Sequence, residues 1–330
     1  MLRLLTLVLS LALATVARAD APACAGHDLI SAMPAAERAA LDAAVAAAPY
    51  PAGNHWRATR GDSTIDVIGT FHVYDPRMDA HIKTLMPMLK AADLILLEAT
   101  PSEMDALQKA VASQPDLLFT TGATLPERLN KDDWQKVSDA MSARGIPGFF
   151  AAKFQPWYVA MMLSLPPCAV KAMGGGSTGL DRLIMGAAED LHVPMQALEP
   201  YDTVFKVLAT MPPEDQLDAI RQALPLTGRA DDMLATVTAS YDRQEHRQIW
   251  EFSRIQALDI APDRPRAEAD LERMEAGMVT ARNRAWLPVI LAAAPGKRLV
   301  VAVGAGHLSG DDGLLNLLAR VGYRLDRAAF

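Results

Sequence analysis

Four apolar segments of this chain each run into an ionisable side chain. "IDVIGTFH" ends at His72, "LILLE" at Glu98, "VPMQALE" at Glu199 and "LVVAVGAGH" at His307. Imidazoles and carboxylates placed where a buried segment emerges are the groups that move protons or hold metal ions. In open α/β sheets, ligands gather beyond the carboxyl ends of parallel strands. If these segments are neighbouring parallel strands, two imidazoles and two carboxylates meet at one edge, as a hydrolytic or metal site requires. Two of the four share a device, Gly69-x-x-His72 and Gly304-x-x-His307. The glycine lets the chain leave a strand sharply, and the imidazole lands beyond it. Chance alone supplies about 0.4 copies of G-x-x-H at this composition, so two copies behind predicted strands count as signal.

Other ionisable residues join the candidates with competing explanations. An ionised Glu98 after four apolar residues needs a metal, a cation or a hydrogen-bond donor, or has emerged into solvent. Glu199 carries the same argument, although Pro200 begins a turn beside it. Asp181 lies in the first turn of a predicted helix, where an acid also favours the helix dipole. Leu271, Met274, Met278, Ala281 and Ala285 recur at helical spacing, and Arg282 lies near that inward stripe. A buried arginine needs an anionic partner, so Arg282 pairs with a core carboxylate such as Glu98 or faces a cleft. His27, His55, His81, His192 and His246 have no comparable setting and read as surface or packing residues.

The elements that position these groups alternate. An alanine-rich helix is predicted over residues 31 to 48, a strand over 63 to 72, a helix over 81 to 92 and a strand over 93 to 100. Residues 101 to 173 read as helical, with Asn130 as a cap and Gly145 and Pro147 as a stop. "GGGSTG" (174 to 179) precedes a helix from Leu180 to Leu191, with Ser177 or Thr178 as its cap, and a strand from Val193 to Leu198. Residues 202 to 294 are again helical, and the chain closes with the strand before Gly304 and a helix from about Gly313 to Val321. The predicted fold is α/β: a mixed central sheet flanked by helices, with a largely helical insertion forming a lid or second lobe. The core comes from about 55 to 100, 176 to 200 and 297 to 330.

"GGGSTG" also matches a dinucleotide fingerprint, G-x-G-x-x-G, with Glu199 downstream. "LPPCAVKAM" before it is a poor strand, so the match lacks its context. No lysine follows for a phosphate-binding Walker loop, and H-E-x-x-H is absent from the sequence.

The first 19 residues read as a secretory signal: Arg3, an apolar run from Leu4 to Val16, then Ala17-Arg18-Ala19 before Asp20. The run is shorter than the roughly 20 residues needed to span a bilayer. Residues 20 to 330 then form one domain, exported across the inner membrane to the periplasm. Without Arg3 and Arg18, 30 basic residues face 39 acidic ones, a net charge of −9. This acidic balance without a basic run argues against nucleic acid or an anionic membrane as partner. Two cysteines, Cys24 and Cys168, suit one disulfide in an oxidising compartment and are too few for a structural zinc cluster.

The ordered set "IGTFHVYDPR", "LILLEATP", "GLDRLIMGAAEDLHVPMQALEP", "ARNRAWLP" and "VAVGAGHLSGDDGLLNLLARVGYRL" resembles the TraB/GumN family, which includes the Tiki proteins. The resemblance runs from about Trp56 to Tyr323, and the family is similar to the erythromycin esterases and ChaN-like proteins. It implies a mixed α/β core with helical additions. His72, Glu98 and His307 fall on the family's motif histidines and acid, and Asp181, Glu199, Arg282 and Asn283 match further family positions. Tiki proteins are divalent-metal-dependent proteases, whereas erythromycin esterases activate water with a histidine and no metal. "LEPYDTVFKVL" stands where many relatives carry a glutamine-containing stretch, a departure on the substrate side.

The leading expectation is therefore an exported metal-dependent hydrolase of peptide bonds or a small-molecule substrate. His72 and His307 would ligate a divalent ion (zinc, manganese, cobalt or iron), with Glu98 as third ligand or general base. Arg282 would steady an oxyanion or a substrate carboxylate. The rivals are metal-free hydrolysis, with one histidine as base and Glu98 orienting water, and a non-catalytic binder of a peptide or haem. An accessory role in exopolysaccharide production rests on the GumN name alone.

Overall fold

The computed structural model describes residues 24–330 except Ser177, so the expected signal segment and one of the two expected helix caps lie outside the described residues. Six strands form one sheet: β1 (His55–Arg60), β2 (Ser63–Thr70), β3 (Leu94–Leu97), β4 (Met195–Ala197), β5 (Arg298–Gly304) and β6 (Arg324–Arg327). Their spatial order is β4-β3-β5-β2-β1-β6. The first four in that order run parallel, while β1 is antiparallel to both β2 and β6. The sheet is thus mixed, as expected.

Residue alternation sorts the two faces. Leu299, Val301 and Val303 of β5 join Ile65, Val67, Trp286, Ile290, Leu314 and Leu318 on one side. Val300 and Ala302 join Ile68, Leu85, Leu89, Leu180, Ile184 and Tyr241 on the other. Side chains of successive strand residues point to opposite faces, so a strand apolar at every position must be covered on both. Helices Met78–Lys90 and Leu180–Leu191 cover one face, and Ala281–Ala293 and Leu314–Arg320 the other.

The helical portions build a further cluster away from the sheet. Leu125, Val137, Met141, Val159 and Leu163 pack there with Leu217, Ile220 and Leu224. Both insertions contribute to this lobe. Cys24 and Cys168 form the expected disulfide, tying the first described residue to helix Pro167–Gly174. No helix among the described residues is long and apolar enough to cross a membrane.

Several local readings needed correction. β1 pairs with β2 through a two-residue turn in which Gly61 has φ +60°. That Gly-Asp turn was the available hairpin signal. The cap of helix Leu180–Leu191 is Gly179, without a side-chain cap bond. The Leu180 N–H instead donates to the Phe71 carbonyl at 2.9 Å. A Cβ on Gly179 would lie 2.0 Å from that oxygen, so only glycine allows this approach. The inward stripe of the last long helix is displaced as well. Ala281 and Ala285 are exposed, while Arg282, Asn283, Trp286 and Ile290 are buried. A π-helical turn at Ala276–Thr280 precedes them. Its wider i→i+5 repeat adds a residue to the turn and rotates the following face by about one position.

Candidate functional site

The strand order places the four segment ends side by side. In parallel register, Glu199 follows β4, Glu98 follows β3, His307 follows β5 and His72 follows β2. Glu98 is the first residue past its strand, and His307 ends a 3-10 turn, Ala305–His307. The sheet therefore brings together at one edge groups that are up to 235 positions apart in the chain.

The two glycine turns pack against each other. A Cβ on Gly69 would lie 2.7 Å from Leu308 Cδ1 and 3.1 Å from the Ala305 Cα, so the first turn lies flush on the second. A Cβ on Gly304 would instead point into the site. It would stand 3.4 Å from Glu98 Oε1, 3.7 Å from His307 Cδ2 and 3.8 Å from His72 Nε2. The missing side chain of Gly304 thus opens a notch bounded by all three.

Arg282 knits the back of this edge. Its Nε and Nη2 donate to Glu199 at 3.0 and 2.6 Å, and Nη2 also donates to Glu98 Oε2 at 2.7 Å. Nη1 donates to the Met278 carbonyl at 3.0 Å and faces His307 Nε2 at 3.1 Å. A guanidinium has five N–H donors, and these contacts engage every nitrogen. Arg282 thus takes the first of its two alternatives: it is buried and pairs with the carboxylates of Glu98 and Glu199. With its donors committed, it positions neighbours and is not free to meet an oxyanion. Trp286 completes this wall, donating from Nε1 to Glu199 Oε2 at 2.9 Å and packing its ring, tilted by 42°, against His307 at 4.5 Å between centroids.

Hydrogen bonding assigns the proton on His307. Asn283 Nδ2 donates to the carbonyls of His307 and Asp312, which leaves Asn283 Oδ1 as the acceptor from His307 Nδ1 at 2.8 Å. Arginine cannot accept, so His307 Nε2 must be the acceptor from Arg282. Both contacts give the same neutral tautomer. Burial pushes His307 down to about 4, with Arg282 and His72 in the same direction and Glu98 opposing.

His72 is the opposite case. Its side chain is 63% exposed, and its Nδ1 lies 3.3 Å from Asp181 Oδ2. The hydrogen bond to Asp181 raises it to about 9, with the charges of Asp181 and Glu98 assisting and that of Arg282 opposing. Solvent around the open ring screens part of that attraction. Asp181 Oδ1 is buried without a hydrogen-bond partner. Glu98 is held down to about 2: burial works the other way, but His307, His72, Arg282 and the Gly304 N–H outweigh it. That N–H donates to Glu98 Oε1 at 2.6 Å.

Residues 54–327 match the TraB/PrgY/gumN family. The chain belongs to that family. It is also 26% identical over 274 residues to proteins of Escherichia coli (strain K12) and Shigella flexneri, each named "Uncharacterized protein YbaP". Those alignments cover 81% of this chain and 94% of each relative. All the site residues described above fall inside the TraB/PrgY/gumN match.

The family resemblance drawn from the sequence implies His72, Glu98 and His307 as ligands of a divalent ion. Their arrangement does not fit a resident divalent ion. The His307 Nε2 lone pair points at Arg282, and each Glu98 oxygen already accepts a bond, one of them from the same guanidinium. An ion at these atoms would sit against a buried like charge. Among the described residues, the group of three with ligand atoms within 4.8 Å of one another is Cys24, Cys168 and Asp231, whose sulfurs are joined in the disulfide. His55 and His246 are buried packing residues, bonded to Asp66 and to Asn54 and Tyr50, whereas His27 and His192 are exposed.

Proposed function

We propose that this protein is an exported hydrolase of carbonyl compounds, peptides or esters, that activates water without a resident metal. The observation that carries this reading is the Gly304 notch, where Glu98 Oε1 and His72 Nε2 face one point from the ends of the two strands that flank β5. Asp181 supports it from behind by orienting His72 through Nδ1, which leaves Nε2 turned toward the notch. This is the base-plus-orienting-carboxylate logic of hydrolytic dyads. His307 is excluded as the base because its Nε2 lone pair is already occupied by Arg282.

Water held between Glu98 and His72 gives one proton to His72 Nε2 as its oxygen adds to the carbonyl carbon. The same proton then passes to the departing nitrogen or oxygen as that bond breaks. Three carboxylates, Glu98, Glu199 and Asp181, face Arg282 and His72. That negative balance repels phosphate esters and admits a neutral carbonyl. The disulfide supports export, since such bonds persist in oxidising compartments.

The test is turnover of a panel of peptide and ester substrates by chelator-treated protein, compared with His72→Ala. Activity is expected to survive metal removal, to rise with pH toward about 9 as the His72 imidazole loses its proton, and to fall about 10²–10⁴-fold in the variant. Activity lost on chelation and restored by zinc, manganese, cobalt or iron would return the metal-dependent peptidase. A ligand bound and recovered intact, with no turnover, would make the protein a binder.

A further inference from the structure

The turn that carries His72 is held by a residue from the helical portion. Tyr241, near the end of helix Ala230–Asp242, is 2% exposed. Its hydroxyl donates to the Gly69 carbonyl at 2.8 Å, and its ring stacks on Phe71 with centroids 5.4 Å apart. The Tyr241 carbonyl accepts from Asn54 Nδ2 at 2.9 Å, while the Gly69 N–H donates to the Asn54 carbonyl at 2.7 Å. Gly69, Asn54 and Tyr241 therefore close a triangle of three hydrogen bonds that engages both polar groups of Gly69. From the other side, Leu180 N–H grips the Phe71 carbonyl. The three residues before His72 are thus fixed between two helices, although His72 itself is open to solvent.

We propose that Tyr241 is a positioning residue for His72, setting the direction in which the chain leaves β2 and so the aim of the imidazole at Glu98 and the Gly304 notch. Burial and the charge of Asp181 push the phenol well above its ordinary 10, so the hydroxyl remains a donor at any pH the protein tolerates. The sequence carries no strand-end or motif signal at Tyr241, because its role exists only through a contact 172 positions away. The inference rests on the hydrolase reading for what His72 does, but not for where His72 is held.

The experiment is imidazole NMR of the full chain as wild type, Tyr241→Phe and Phe71→Leu, alongside turnover and thermal melting. His72 faces Asp181, Glu98 and Arg282, so its titration midpoint reports its placement among them. In Tyr241→Phe the midpoint is expected to move from about 9 toward 6.5, with kcat down about tenfold and KM nearly unchanged. Phe71→Leu keeps the hydroxyl bond and is expected to give a smaller shift in the same direction. A lower melting temperature with His72 unmoved in both variants would show a purely structural tyrosine and overturn the proposal. If even the wild type turns nothing over, the hydrolase reading fails while the imidazole spectra still decide the placement.

Discussion

The two halves of the site begin from one device and end in opposite states. Both histidines follow a strand, a glycine and two further residues. His307 is 7% exposed, has both ring nitrogens engaged by Asn283 and Arg282, and is neutral. His72 is mostly exposed, has Asp181 behind one nitrogen, and holds a proton at neutral pH. The shared motif decides where each imidazole leaves the sheet. Its protonation comes from the neighbours it meets: burial beside a cation for one, a carboxylate in the open for the other. One half is a wall, and the other is open to solvent.

The largest effect expected from that division is on stability. Arg282→Met would leave Glu98 and Glu199 partly buried without their cation, a loss of about 3–5 kcal/mol. Arg282→Lys keeps the charge but lacks the planar fork and should recover only part of it. Urea denaturation measures both, and a loss below about 1 kcal/mol for Arg282→Met would mean the wall is not a unit.

A second test uses pH, where the halves should act with opposite signs. Between pH 4 and 6.5 the unfolded chain takes up protons that native His307 and His246 refuse, so stability rises with pH. Between pH 6.5 and 9 native His72 keeps a proton that the unfolded chain has lost. Its contribution is complete below 6.5 and disappears as pH climbs through 9. Melting temperature should therefore peak near neutrality. His307→Asn should flatten the acid limb in part, since His246 remains, and His72→Ala the shallower alkaline limb. An alkaline limb unchanged in His72→Ala would remove the contrast between the two histidines.

Gly304→Ala should have the smallest effect on stability. Gly304 has φ −50°, open to any residue, and the added methyl meets its neighbours at 3.4 Å or more. Unfolding free energy should change by less than about 1 kcal/mol. Turnover should nevertheless fall sharply, because the methyl fills the notch between Glu98 and His72. Full activity in a stable Gly304→Ala protein would place the reacting water elsewhere.

Much of this edge was legible beforehand, for identifiable reasons. Continuous apolar runs such as "LVVAV" have no amphipathic alternative to a doubly covered strand, so their ionisable ends stand out. β1 and β6 were harder to read: "HWRATR" and "RLDR" are short and polar, and lie at or beside the sheet edge, where one solvated side weakens the pattern. The stripe around Arg282 was misread by about one position because apolar spacing assumes a 3.6-residue turn throughout, and the π-helical turn breaks that assumption. The clamp at Tyr241 left no trace, since a single long-range hydrogen bond has no periodicity.

Sequence alone determined the inventory: which strands are buried, which residues stand at their ends, and that two glycines release two imidazoles there. Local sterics and apolar burial act over a few residues, and those are written in neighbouring positions. Only the tertiary structure decided that Arg282 would occupy the middle of the site, neutralise two carboxylates and take the His307 lone pair. Electrostatic partnership acts through space, and its outcome depends on which charges the fold brings within a few ångströms.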